Sequence, residues 1–176
     1  MYPKTRTVIS LLVIVLSFVC LRPVSSMADG GNRKEQIHLM LYDIYKKQQR
    51  YDLAGIELRE LIKLRPNDAK LRGSLGTDLF TAQKWGLART EFNNATKYDP
   101  TNADYWGMIG RCDMQLRQYF AAYQAYQKAV RSMRAGGTDY RPELATAQTY
   151  YQNEQQQKEY AKQQVERKKN SDDDDD

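Results

Sequence analysis

One histidine and two cysteines in 176 residues leave little material for catalysis or for a metal site. Both chemistries need several such groups converging on one point. No glycine-rich segment has the spacing of a phosphate-cradling loop, so nucleotide chemistry has no foothold either. The sequence therefore predicts no enzyme, no cofactor and no metal. Only 5 prolines and 10 glycines interrupt a chain rich in Ala, Leu, Gln, Lys, Arg and Glu, which points to helix and away from sheet. The 41% hydrophobic content is enough for one ordinary domain.

Long hydrophobic runs are also scarce. The one present spans Val8 to Leu21, preceded by Lys4 and Arg6 and followed by Pro23 and the small-residue stretch from Val24 to Ala28. This is the layout of an export signal cleaved near Ser26 or Ala28, so residues 1–28 are predicted to be a signal peptide. As a helix the run would reach about 21 Å, short of the roughly 30 Å hydrocarbon core. A periplasmic or secreted protein without stable membrane insertion is the expectation, with an N-terminally membrane-anchored protein as the alternative. A lipoprotein modified at Cys20 is disfavoured because the bulky Val19 precedes it. Cleavage leaves Cys112 alone, so no intramolecular disulfide can form and packing must supply the stability.

Charge is unevenly placed. Loss of residues 1–28 removes Lys4, Arg6 and Arg22 and no acidic residue, so the 27 basic residues become 24 against 22 acidic ones. Five of those acids are consecutive, Asp172 to Asp176, which leaves a basic body with an acidic tail. Lys158, Lys162, Arg167, Lys168 and Lys169 alternate with Tyr150, Tyr151 and Tyr160, a mixture that also suits nucleic acid. Glu154, Glu159, Glu166 and the tail dilute that basic face, and export would remove the chain from most nucleic acid, so no nucleic-acid partner is expected.

What the sequence does contain is a period of 34 residues. Pro66 and Pro100 are one step apart, and the same step links Ala54, Ala88 and Ala122; Tyr51, Trp85 and Tyr119; Leu58, Phe92 and Tyr126; and Leu41, Leu75 and Ile109. Gly76 pairs with Gly110 and Ala95 with Ala129. Within a step, Leu75–Gly76 and then Ala88, Phe92 and Ala95 are spaced for two helices that cross closely at small residues. Each such pair exposes an apolar face that only stacking can bury.

These columns resemble the tetratricopeptide repeat, matched by Trp106, Gly110, Ala122, Tyr126 and Ala129 and by Leu75, Gly76, Ala88, Phe92, Ala95 and Pro100. The resemblance implies an all-α superhelical solenoid of three helix-turn-helix units, 35–68, 69–102 and 103–136. Tyr42 departs from the pattern where the other units have Gly76 and Gly110, His38 and Arg72 stand in the place of Trp106, and Arg134 replaces the terminal proline. His38 is expected to be partly buried, and Cys112 to be a packed thiol. After the break at Gly136 and Gly137, Thr138 or Asp139 caps a long helix over 141–169. Leu144, Ala147 and Tyr151 give its first half a face for the array, its second half should project, and 170–176 should be a disordered acidic tail.

By the same resemblance the first helices line a concave groove that binds a peptide or another protein. The expected lining is Leu39, Asp43, Lys46, Lys47, Gly73, Thr77, Phe80, Gly107, Arg111 and Met114. Gly73 and Gly107 would let a partner's backbone lie close, with Phe80 and Met114 as apolar anchors. The family's two-carboxylate clamp for acidic chaperone tails needs Lys and Asn at Leu39 and Asp43, Asn at Ser74, and Lys and Arg at Asp104 and Met108, and none matches. The expected function is an envelope adaptor or assembly factor exported across a bacterial-type inner membrane. The alternative is a structural homo-oligomer that self-associates through an uncapped N-terminal face bearing Leu41 and Ile44.

Overall fold

A computed structural model describes residues 29–173, so the expected signal peptide lies outside the described residues. The described residues form seven helices and no strand: α1 Asp29–Lys47, α2 Tyr51–Leu64, α3 Ala69–Thr81, α4 Trp85–Tyr98, α5 Ala103–Gln115, α6 Tyr119–Ser132 and α7 Arg141–Asp173. Residues up to Ile37, where described, are the opening turns of α1, and the repeat body begins at His38.

The backbone repeats as faithfully as the sequence does. Gln49, Gln83 and Arg117, each 34 residues from the next, adopt left-handed φ of 58°, 59° and 57°. In every case the following amide closes the preceding helix: Arg50 donates to the carbonyl of Tyr45, Lys84 to Leu79 and Gln118 to Asp113, at 2.9, 2.9 and 2.8 Å. This is the Schellman closure, here built without glycine. The return turns are capped by side chains. Asp68 accepts from the amides of Lys70 and Leu71, and Asn102 from that of Asp104. Asp139 does the same for Arg141, at 3.0 Å.

Packing follows the expected register. Ala88, Ala95, Ala122 and Ala129 are fully buried, with Phe92 and Tyr126 between the helices of their units. A methyl on Gly76 would lie 2.9 Å from the Phe92 ring, and one on Gly110 would lie 2.8 Å from that of Tyr126. Each glycine thus makes room for the ring that fills its own unit, and burying such a ring contributes about 1.5–3 kcal/mol. The close approach of α3 to α4 and of α5 to α6 is not repeated between α1 and α2, where bulky Tyr42 occupies the glycine position. Instead His38 and Glu57 join those helices, Nδ1 to Oε2 at 2.6 Å, both largely buried. Cys112 is fully buried, and burial pushes its thiol up to about 12. It is inert packing.

The last helix caps the array. Ala147 and Tyr140 are buried in a cluster with Ala122, Tyr126 and Ala129, and Leu144 packs against it. From Gln155 to Arg167 almost every residue is exposed, so this half of the helix buries little against the array. The helix runs to Asp173. No glycine or proline follows Pro142 within it, and an established helix adds a hydrogen bond for each residue fixed.

Candidate functional site: the concave groove

The first helices α1, α3 and α5 bring Lys46, Lys70, Ser74, Thr77, Asp104 and Met108 around a cleft of about 310 Å³. Gly73 and Tyr105 form part of its wall. Three of the ten expected residues meet here: Lys46, Gly73 and Thr77. The Thr77 hydroxyl donates to the Gly73 carbonyl at 2.9 Å, which keeps its methyl free to face a ligand. Lys46 is already engaged, donating to the Tyr42 hydroxyl at 2.7 Å and lying 3.8 Å from the buried Asp78 carboxylate. Burial opposes the Lys46 charge, yet Tyr42 and Asp78 together hold its pKa above the ordinary value. Burial also raises the carboxyl of Asp78, against the pull of Lys46.

The other expected residues divide by what they touch. Leu39, Asp43 and Lys47 are exposed on α1. Arg111 is committed to Glu143 of α7, at 3.2 Å. Phe80 is partly buried and meets the edge of Trp85 at a centroid distance of 4.7 Å, and Met114 is packed into the α6–α7 cluster. The two expected apolar anchors are thus partly taken up by the protein's own core.

The reading of Gly73 and Gly107 as open floor needs correction. A methyl on Gly73 would lie 2.6 Å from the Tyr105 ring, and one on Gly107 would lie 2.1 Å from that of Tyr140. Each glycine is covered by a tyrosine from beyond its own helix pair, Tyr105 at the start of α5 and Tyr140 just ahead of α7, so the room it leaves is filled by the chain itself. Tyr140 then donates to Asp104 Oδ1 at 2.8 Å and holds that carboxylate at the groove edge. Burial and this acceptor push the Tyr140 phenol up to about 12. Ser74, Asp104 and Met108, the positions of the family's carboxylate clamp, line the cleft although they were left out of the expected set, and Lys70 was not singled out at all. Their signal is positional, since they stand one residue or one turn from the expected set on the same helices.

Among the described residues no group of three or more His, Cys, Asp or Glu is arranged to hold a metal ion, and no helix is long and apolar enough to cross a membrane. The cleft offers shape, one free lysine, a carboxylate and apolar atoms, which suit binding.

No family model matches the chain, and no curated protein matches it. Solved structures do. The first tetratricopeptide-repeat domain of Spaghetti (RPAP3), bound to the HSP90 peptide SRMEEVD, is similar with a TM-score of 0.59 and 17% identity over 66% of this chain and 92% of that one. The Sgt2 domain of Aspergillus fumigatus gives 0.60 and 16% over 72% and 82%. The TPR2B domain of yeast Sti1, in complex with pHsp70, gives 0.57 and 20% over 70% and 98%. With the 34-residue period and the glycine–aromatic crossings of each unit, the likeness establishes that this chain has the tetratricopeptide-repeat solenoid fold.

Proposed function

We propose that the chain is an exported interaction scaffold or assembly factor that holds a segment of another polypeptide in its concave groove and carries out no chemistry. The observation that carries this reading is the cleft itself, open on α1, α3 and α5 and lined in part by exposed side chains that the core does not use, Lys70 and Thr77 among them. The similar Spaghetti and Sti1 domains were solved with a bound peptide or in a complex, which supports a polypeptide ligand for the fold. The groove here favours a different ligand. Lys46 is neutralised by its own partners and Asp104 faces the cleft, so a segment of mixed charge fits better than a purely acidic tail.

The test uses groove residues that can change without disturbing the fold. Thr77→Trp and Lys70→Glu fill or invert the cleft at exposed positions. Partner recovery from an envelope extract should fall for both, with circular dichroism unchanged. Unchanged recovery with folding intact removes the groove from consideration. Export is tested separately: the protein isolated from its host should begin near Met27 or Asp29, and an intact Met1 would overturn it. A chain starting at a lipid-modified Cys20 would establish the lipoprotein.

A second reading, self-association, is favoured by the exposure of Met40 and Ile44, at 65% and 48%, one turn apart on α1. Leu41, expected beside Ile44, is partly buried instead. Size-exclusion chromatography with light scattering separates a monomeric scaffold from a dimer that Ile44→Lys dissociates.

A further inference from the structure

A second cleft, of about 500 Å³, lies between the first turn of α6 and the middle of α7 and shares no lining residue with the concave groove. Its lining holds three aromatic rings, Tyr119, Phe120 and Tyr151, backed by Tyr123 and Tyr150. Tyr119 stacks on Tyr150 with centroids 5.1 Å apart, Phe120 meets Tyr151 at 5.0 Å, and Tyr151 stacks on Tyr123 at 6.4 Å. Phe120 and Tyr150 remain about half exposed, at 49% and 48%. Clustered exposed rings of this kind mark a contact surface.

The polar rim leans toward donors. Arg117, Gln118, Gln155 and Lys158 surround the rings, and all four carry N–H donors. Gln118 Oε1 already accepts from Arg89 at 2.9 Å, so what it offers a ligand is its amide N–H. The one carboxylate on the rim, Glu154, is paired with Lys158 at 2.7 Å. A ligand that matches this cleft brings flat apolar groups and hydrogen-bond acceptors, and needs few acceptors in return.

We propose that the cleft docks a proline-rich segment of a partner polypeptide in the polyproline II conformation. Pyrrolidine rings stack on aromatic faces, and proline has no backbone N–H to satisfy. Its carbonyls point outward and unbonded, where the rim donors meet them. The segment is rigid before binding, so little conformational entropy is lost. A sugar fits less well, because its hydroxyl donors would find few free acceptors. The ligand comes from another polypeptide, since the five prolines of this chain, Pro3, Pro23, Pro66, Pro100 and Pro142, are isolated from one another.

The experiment titrates the full chain against fluorescein-labelled decaproline and against a glycine–serine peptide of the same length, read by fluorescence anisotropy. Saturable binding of decaproline alone is expected. Phe120→Ala and Tyr119→Ala, two rings of the lining, should each weaken it about tenfold, the scale of an aromatic anchor, with helical circular dichroism intact. Thr77→Trp in the concave groove should leave it unchanged, so this site and the proposed groove stand or fall separately. The proposal is overturned if decaproline shows no saturation at millimolar protein, if both ring variants bind like wild type, or if maltohexaose saturates the cleft while decaproline does not.

Discussion

Arg72 and Trp106, at the same place in consecutive units, make the same hydrogen bond with different chemistry: Arg72 Nη2 donates to the Pro66 carbonyl at 3.0 Å, and Trp106 Nε1 to that of Pro100 at 2.8 Å. Each ties the start of its unit to the carbonyl left at the preceding turn. Each also meets a cation–π partner in reversed roles, the Arg72 guanidinium over the Tyr98 ring and Lys128 over the Trp106 ring. A departure from the repeat pattern in sequence is thus a conserved contact in space. Arg72→Ala should cost about 1–3 kcal/mol in urea melts, since it also strips the ion partner from Glu91 at 3.7 Å. Arg72→Trp should recover part of the loss.

The glycine–tyrosine contacts make a sharper test. Gly107→Ala puts a methyl into the Tyr140 ring and should cost about 1–3 kcal/mol by overpacking while loosening α7. Gly86→Ala meets nothing within 4 Å and should stabilise by up to about 1 kcal/mol. Equal thermal shifts for the two variants would contradict the register.

The left-handed turn residues offer a gain. Replacing Gln83 or Arg117 by glycine relieves a positive φ, and each change should add about 0.5–1 kcal/mol. The two turns are distant, so their effects on the thermal midpoint should add.

Asp113 carries a pH signature. Burial pushes its carboxyl from 3.8 up to about 6, although Arg89 Nε lies 2.8 Å away and opposes the rise. The folded state holds this proton more tightly than the unfolded chain. Its contribution is therefore complete below 3.8 and lost as pH rises through about 6. Wild type should lose stability relative to Asp113→Asn across that window in urea melts. A relative gain would mean that Arg89 keeps the carboxylate ionised.

The helical class, the three units and the buried columns Ala88, Phe92, Ala122 and Tyr126 were legible in the sequence because a 34-residue period samples each structural position repeatedly. The capping role of Leu144 and Ala147 was legible for a similar reason, as helical spacing shows which face must be covered. Only the tertiary structure decided what Gly73 and Gly107 do. A glycine reads alike whether its missing side chain leaves room for a ligand or for a ring, and the rings come from Tyr105 and Tyr140, more than thirty residues away. The same holds for the aromatic ladder, where Tyr119, Phe120 and Tyr123 meet Tyr150 and Tyr151 only because α7 folds back along α6. Periodicity constrains what repeats, whereas contacts made once, at the end of the array, depend on how the last helix docks.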